Sequence, residues 1–189
     1  MNTAAIIAVL VSWLAIFIVW TRGFFGNKRN AAVPKAAAQW LVNIVLVVGF
    51  VLLAWTLWSA LLSGRAPSSA TLGTLGILAS LFGGALAIWA RVILGRNWSG
   101  VVVTVKAGHR LVTAGPYAYI RHPIYAGLLM MCLGSILLAP SFGTGVGSLL
   151  MLTVFLVRIR GEERLMRTAF KDNHENYRMR VKKLFPMVW

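Results

Sequence analysis

The sequence predicts an all-α integral membrane protein with about five transmembrane helices. Of its 189 residues, 59% are hydrophobic and 12% are charged, whereas a soluble domain has about 45–50% apolar and about 25% charged residues. All four carboxylate side chains lie between residues 162 and 175, so residues 1–161 contain none. These features exclude an ordinary soluble domain, and they exclude a paired-carboxylate or EF-hand site in most of the chain.

Apolar runs that are long enough, or nearly long enough, to cross a bilayer recur along the chain. They cover residues 4–20, 40–62, 72–90, 124–139 and 143–157. The first run is interpreted as a retained helix, because no basic residue precedes Arg22 as it would in a cleaved signal peptide. The third run is rich in glycine and can extend to Leu94. The last two are short, and the turn at 140–142 predicts a tight helical hairpin that need not cross the bilayer fully.

The loops between these runs alternate in charge. Nineteen basic residues against four acidic ones give a net charge of +15, and all the basic residues except Arg65 lie in segments 21–39, 91–122 and 158–183. Because basic loops tend to stay in the cytoplasm, this pattern predicts an external N-terminus and a cytoplasmic C-terminus. Basic residues placed between apolar runs also argue against nucleic-acid binding, which uses a basic soluble domain.

The chain after the fifth run predicts an amphipathic helix that lies on the inner leaflet. Its apolar residues recur at helical spacing opposite a basic face; they are Met166, Phe170, Tyr177 and Val181. Near its start, Glu162 and Glu163 lie four residues from Arg158 and Arg167, and such pairs can be ordinary surface ion pairs. Glu162, however, lies within about one turn of the membrane boundary, where a carboxylate usually has a functional role.

Residues 95–127 form a polar segment before the fourth run. The stretch VVVTV at 101–105 has strand propensity. His122 precedes Pro123, which predicts that it is the cap residue of the following helix. The free N–H groups of that helix start favour an anionic group. Three tyrosines add aromatic faces beside it: Tyr117, Tyr119 and Tyr125. The alternative is that the histidine is only a cap and the tyrosines are only interfacial anchors.

A carboxylate, a helix start and aromatic faces at one membrane surface suit a zwitterionic ligand with a cationic centre. S-adenosylmethionine has this chemistry, although the residues alone do not single it out. No metal site is predicted, because three histidines without nearby cysteines or acids make a poor ligand set. Cys132, the single cysteine, lies in an apolar run and is predicted to be a packing residue.

The motifs of the polar segments resemble those of a known family. HRLVTAGPYAYIRHPIYAG at 109–127, the EE pair at 162–163 and a phenylalanine–aromatic–proline tail are similar to the isoprenylcysteine carboxyl methyltransferase family. That family belongs to a wider group that includes the phospholipid methyltransferases. LGRNWSG at 94–100 resembles its bacterial branch. The resemblance covers about residues 91–186, and its two motifs are specific only when they occur together.

The resemblance implies an S-adenosylmethionine-dependent methyltransferase that acts on a lipophilic or lipidated acceptor in a bacterial or archaeal inner membrane. The sequence shows no internal repeat, linker or separate soluble domain, which predicts one membrane domain over 1–189 with spans in 1–90; the resemblance implies that 91–189 is the cofactor-binding core. The family's cofactor-binding residues fall on His109, Arg110, Leu111, Val112, Tyr117, His122, Pro123, Ile124, Tyr125 and Glu162. Its acceptor-binding arginine falls on Arg158, and Arg158 and Glu162 are the expected catalytic residues.

The tail departs from the family pattern at two positions. The family usually has glycine after the tail phenylalanine and then two tyrosines, whereas here Lys171 follows Phe170 and His174 takes the first tyrosine position. Tyr177 takes the second. These differences concern the acceptor side more than the cofactor pocket.

Two other functions fit parts of the sequence. A sterol-type reductase that uses NADPH looks similar in its membrane fold and RHPxY-like segment, but it tends to carry a glutamate soon after that segment. This chain has Leu-Leu-Met after Gly127 instead. A membrane scaffold or small transporter would need polar residues near the bilayer midplane, and the spans contain almost none. The sequence therefore favours the methyltransferase.

Overall fold

Five helices make up most of the described chain. A computed structural model describes residues 2–26, 37–64, 69–98 and 110–185. The helices are α1 (Asn2–Gly26), α2 (Ala37–Leu62), α3 (Ala70–Leu94), α4 (Pro123–Leu138) and α5 (Phe142–Arg180). Within these residues there is no strand, only an isolated parallel β-bridge between Ile120 and Lys182. The predicted strand at 101–105 lies outside the described residues.

The helices confirm the predicted all-α membrane architecture. Four of them, α1, α2, α3 and α5, are long and apolar enough to cross a bilayer, whereas α4 has 16 residues. At 1.5 Å per residue, α4 extends about 24 Å, which is less than the roughly 30 Å of the hydrocarbon core. Large apolar side chains such as Leu14, Val47, Trp55 and Leu78 are exposed, as expected for helices that face lipid.

Local sequence sets the helix ends. At the start of α3, the Ser69 hydroxyl accepts a hydrogen bond from the N–H of Leu72 (3.2 Å). After α4, Ser141 and Thr144 form a capping box that starts α5: the Thr144 N–H donates to the Ser141 hydroxyl (3.2 Å), and the Ser141 N–H donates to the Thr144 hydroxyl (3.0 Å). Only residues 139–141 separate the two helices, which confirms the predicted hairpin.

The helices α3 and α4 pack closely because two glycines face each other. A Cβ atom on Gly83 would collide with the carbonyl oxygen of Gly127, and a Cβ atom on Gly127 would collide with that of Gly83. The α1 helix packs against both, and the Trp13 indole N–H donates a buried hydrogen bond to the Ser135 hydroxyl (3.1 Å). Cys132 is buried in this core, as predicted. The α2 helix packs against α5.

The C-terminal part of α5 is helical, as predicted, but its apolar face does not lie open to the membrane surface. The helix continues beyond its apolar run into the charged segment, and the non-helical dihedral angles of Lys171 (φ 44°, ψ −120°) kink it into two helical parts. The apolar face of the tail packs within the protein, where Tyr177 and Val181 are buried. The reason is that the loop before α4 offers both apolar surface and backbone acceptors; the Tyr177 hydroxyl donates to the carbonyl oxygen of Tyr117 (2.6 Å).

Lys171 adopts a backbone conformation that glycine prefers. Its φ of 44° and ψ of −120° belong to the first central position of a type II′ turn, and positive φ costs a residue with a Cβ atom about 1–2 kcal/mol. We expect Lys171→Gly to raise the free energy of unfolding by about 1 kcal/mol, because glycine relieves this cost and loses part of the gain to backbone entropy. The melting temperature of the purified protein in detergent reports this change in stability.

The control is Asp172→Gly, which lies in helical backbone and should instead lower the melting temperature. A Lys171→Gly protein that melts no higher than wild type would contradict the prediction.

Candidate active site

Residues 110–122 form a compact loop that leads into α4. Gly115 has a positive φ of 60°, which allows the chain to turn into a short 3₁₀ helix with Pro116 in its first turn. The N–H of Ile120 donates to the carbonyl oxygen of Pro116 (3.1 Å). The loop buries Tyr117 and places two polar residues, Arg121 and His122, directly before α4.

The C-terminal chain holds this loop through backbone hydrogen bonds. The N–H groups of Arg121 and His122 donate to the carbonyl oxygens of Lys182 (2.8 Å) and Lys183 (3.0 Å). The Arg121 guanidinium donates to the carbonyl oxygen of Arg178 (3.2 Å) and also to that of Val181. Because the acceptors are backbone carbonyls, the identities of the tail side chains give no sign of this contact.

Glu163 forms a buried ion pair that links α5 to the start of α4. Arg121 donates from Nε (2.8 Å) and Nη2 (3.2 Å) to the two carboxylate oxygens of Glu163, and His122 Nε2 lies 2.9 Å from Glu163 Oε1. Burial alone would raise the pKa of Glu163, but the hydrogen bonds and charges of His122 and Arg121 lower it to about 2. Glu163 is therefore ionised and serves as a bridge between the two helices.

Glu162 is more open than its neighbour. Its side chain is 25% exposed, against 10% for Glu163. The Tyr125 hydroxyl donates to Glu162 Oε1 (2.5 Å), and Glu162 Oε2 lies 3.4 Å from His122 Nδ1. Glu162 therefore keeps part of its carboxylate available to a ligand while two neighbours hold its position.

His122 lies between the two glutamates. Burial alone would lower the pKa of His122, but its hydrogen bonds and charge interactions with Glu162 and Glu163 raise it above the usual value. The residue occupies the predicted cap position of α4, yet its side chain makes no capping hydrogen bond. The predicted cap position is therefore confirmed, but both ring nitrogens face carboxylate oxygens instead of the helix N–H groups.

Arg158 lies one helical turn before Glu162 on α5. Its Nη2 donates to the side-chain oxygen of Asn43 on α2 (2.5 Å). The guanidinium is therefore anchored across two helices, and it lines the same cavity as Glu162.

These residues surround a cavity of about 770 Å³, within the usual range for ligand pockets. One part of its lining is apolar and comes from α1 and α2: Trp13, Ile16, Phe17, Leu46, Val47 and Phe50. The other part is polar and comes from the loop before α4 and from α5: Arg121, His122, Arg158, Glu162, Glu163, His174 and Tyr177. The cavity can therefore bind a polar ligand group on one side and an apolar ligand group on the other.

The structure brings most of the predicted site residues to this cavity. Those that line it are Arg110, Leu111, Val112, Tyr117, His122, Ile124, Tyr125, Arg158 and Glu162. Pro123 is fully buried and does not line it, and Tyr119 is exposed. His109 lies outside the described residues. The binding and catalytic roles of all these residues remain predictions.

Arg121, Asn43 and His174 are among the residues of the site that were not predicted from the sequence as functional. In the sequence, Arg121 is interpreted only as one of the loop charges, because the sequence does not distinguish a buried arginine from an exposed one. Asn43 could have been found, because a polar side chain within an apolar span usually has a partner. His174 is apparent only as a departure from the family pattern.

Comparison with known proteins identifies the family. The model of the isoprenylcysteine carboxyl methyltransferase family matches residues 75–168. The protein-S-isoprenylcysteine O-methyltransferase of Schizosaccharomyces pombe is 37% identical over 101 residues, which are 52% of this chain and 43% of that protein. A probable protein-S-isoprenylcysteine O-methyltransferase of Oryza sativa subsp. indica is 28% identical over 183 residues, 96% of this chain and 94% of that protein. The cobalt-zinc-cadmium resistance protein CzcN of Cupriavidus metallidurans is 28% identical over 150 residues, 79% of this chain and 62% of that protein.

A solved structure supports the same fold. The eukaryotic intramembrane Ras methyltransferase, an isoprenylcysteine carboxyl methyltransferase, matches with a TM-score of 0.55 and 23% identity over 82% of this chain and 55% of that one. The chain thus spans about half the length of that structure and of the S. pombe relative. The residues that match the family model include the loop before α4, Arg158 and both glutamates. The chain belongs to the isoprenylcysteine carboxyl methyltransferase family.

Proposed function

We propose that the protein is an S-adenosylmethionine-dependent methyltransferase that acts on a lipophilic acceptor, such as the carboxylate of an isoprenylcysteine. The observation that carries the proposal is one cavity whose lining joins the polar residues around Glu162 to the apolar surface of α1 and α2. A polar cofactor and an apolar acceptor can meet in such a cavity. The names of the S. pombe and rice relatives support this substrate class, and the loop charges support a cytoplasmic location of the polar side.

The polar residues fit the charges of the cofactor. The partly exposed Glu162 carboxylate suits the ammonium group, and the ring of Tyr125, which also lines the cavity, suits the sulfonium. The positive end of the α4 dipole, where His122 and Ile124 line the cavity, suits the carboxylate. These residues would hold the cofactor.

The protein contributes mainly position and desolvation. S-adenosylmethionine, when bound, supplies an already activated methyl group, and a carboxylate acceptor needs no general base. Arg158, anchored by Asn43, would hold an anionic acceptor so that its reacting oxygen lies in line with the methyl group. The apolar lining of α1 and α2 would take the acceptor's hydrocarbon tail and exclude water from the reaction.

The proposal predicts that S-adenosylhomocysteine raises the melting temperature of the detergent-purified protein. A ligand that binds only the folded state stabilises it by about 2.7 kcal/mol at a hundredfold excess over Kd. The assay compares millimolar S-adenosylhomocysteine with NADPH, and labelled cofactor then reports transfer to an S-farnesylcysteine analogue or to a lipid extract. A shift with NADPH and none with S-adenosylhomocysteine would contradict the proposal in favour of a reductase.

A further inference from the structure

The chain beside the polar end of the cavity forms a strongly basic surface. Residues 164–183, which follow the two glutamates, contain seven basic residues and two acidic ones. One of the two acids, Glu175, pairs with Arg178 (2.7 Å). Five of the basic residues are exposed: Arg164, Arg167, Lys171, Arg180 and Lys182. The basic surface of residues 164–183 therefore presents an excess of positive charge to the surroundings.

The charged residues that line the cavity also carry an excess of positive charge. Among the described residues, the lining contains three arginines, Arg110, Arg121 and Arg158, but two carboxylates, Glu162 and Glu163. Arg110 is exposed, so its charge is accessible at the edge of the cavity. The methyl donor of the proposed function adds to this excess, because its ammonium and carboxylate groups balance each other whereas its sulfonium is not balanced.

Two arginines of the basic surface lie close enough to act on a bound acceptor. Arg164 and Arg167 follow Arg158, the proposed acceptor-binding residue, by six and nine residues on α5, which is about 9 and 14 Å along the helix. The Debye length is about 10 Å at 0.1 M salt, so charges at these separations still interact. The charge of Arg167 also acts on His174, which lines the cavity. Groups next to the reacting carboxylate of the acceptor are therefore within the field of the basic surface.

Cations around a binding site attract ligand groups of opposite charge and repel groups of like charge. We infer that the basic surface selects lipidated acceptors by the charge beside the prenylcysteine, so that a peptide with acidic residues there is a better substrate than one with basic residues. The inference narrows the substrate class of the proposed function to anionic lipidated peptides, and it rests on that function. The hydrocarbon tail has no part in this choice, because it is uncharged.

A series of acceptors that differ in charge tests the inference. Three acetylated peptides end in S-farnesylcysteine with a free carboxylate and carry two glutamates, two serines or two lysines before it. They are presented in nanodiscs of phosphatidylcholine, which has no net charge and therefore does not itself select among them. At an ionic strength of about 0.01 M, where the Debye length is about 30 Å, kcat/KM should be about tenfold higher for the glutamate peptide than for the lysine peptide. The serine peptide should lie between them, and the three values should converge in about 1 M salt, where the Debye length is about 3 Å.

Two double variants separate the charge of the basic surface from its other properties. Arg164→Gln with Arg167→Gln should reduce the difference between the glutamate and lysine peptides to about threefold, while kcat/KM for the serine peptide stays within about twofold of wild type. The matched control, Arg164→Lys with Arg167→Lys, keeps both charges and should keep the full difference. Both variants should bind S-adenosylhomocysteine like wild type.

Each contrary result has its own meaning. Equal kcat/KM for the three peptides in wild type at low salt, or a preference for the lysine peptide, would overturn the inference. A preference that persists unchanged in about 1 M salt would also overturn it, because a field of exposed charges is screened there. Wild-type protein that methylates none of the three peptides would instead overturn the proposed function itself.

Discussion

Arg158→Ala is expected to slow methyl transfer about a hundredfold or more while leaving the affinity for S-adenosylhomocysteine within about threefold of wild type. The guanidinium lies one turn before Glu162 and is anchored 2.5 Å from the side-chain oxygen of Asn43. It can therefore fix the reacting oxygen of an anionic acceptor, and a misplacement of about 1 Å at that atom can cost a hundredfold in rate. Turnover with labelled cofactor and calorimetry with S-adenosylhomocysteine measure the two quantities separately.

Two further variants separate the charge of Arg158 from its position. Arg158→Lys should restore little activity, since an ammonium cannot bind Asn43 and a carboxylate with the same planar fork. Asn43→Leu keeps the guanidinium and removes its anchor, so we expect a higher KM for the acceptor and a smaller loss of kcat than in Arg158→Ala. Arg160→Ala, which removes an exposed positive charge two residues away, is the matched control and should keep wild-type activity.

The opposite result would have a clear meaning. Arginine at a membrane boundary can simply extend its charge to phospholipid head groups. A lysine would serve that purpose equally well. Full activity of Arg158→Lys would therefore contradict the acceptor-binding role, whereas inactive Arg158→Ala with normal S-adenosylhomocysteine binding would agree with it.

The spans are well predicted because a bilayer leaves a chain few alternatives to the helix. The fourth run, expected over 124–139, is observed as Pro123–Leu138. The fifth run is less well predicted, since the helix continues past residue 157 to a kink at Lys171 and a second helical part extends to Arg180. Hydropathy detects where the apolar run stops at residue 157, but it does not detect where the helix stops, because charged residues with high helix propensity continue it.

The sequence predicts most residues of the site, but it does not predict which of them form ion pairs or hydrogen bonds with each other. Spacing along the helix offers Arg167 as a partner for Glu163, yet Glu163 pairs with Arg121, which is 42 residues away in sequence. Burial decides this choice, because a desolvated carboxylate is stable only with a bidentate partner that is buried with it. The backbone bonds between the tail and the loop leave no pattern in the sequence at all.

The two adjacent glutamates are expected to respond differently to the same substitution. Glu162→Gln should weaken S-adenosylhomocysteine binding about ten- to a hundredfold, as expected for the loss of a charge-assisted hydrogen bond of about 1.5–3 kcal/mol, and it should lower the stability of the ligand-free protein less than Glu163→Gln does. Glu163→Gln should lower the free energy of unfolding by about 3 kcal/mol, because it leaves Arg121 buried without its countercharge. Its effect on ligand affinity should be smaller than that of Glu162→Gln.

The pH dependence of the ligand-free melting temperature gives a second measure of the Glu163 bridge. The pKa of Glu163 is lowered from 4.5 to about 2, so its stabilisation is present above pH 4.5 and is lost as the pH falls towards 2. The pKa of His122 is raised from 6.5, so its stabilisation is complete below pH 6.5 and is lost as the pH rises through the higher value. These two groups together should therefore stabilise wild type most between about pH 4.5 and 6.5.

Glu163→Gln should remove the acid side of this profile and reduce the alkaline side, because His122 keeps only Glu162 as a charged partner. Glu162→Gln should leave the acid side unchanged, since the pair between Arg121 and Glu163 stays intact. The contrast follows from geometry. Both carboxylate oxygens of Glu163 are hydrogen-bonded to Arg121 or His122, whereas Glu162 remains partly exposed to the cavity. If the two variants lost ligand affinity and stability to the same extent, both glutamates would have the same role. The assignment of Glu162 to ligand binding and of Glu163 to the bridge between the helices would then be wrong.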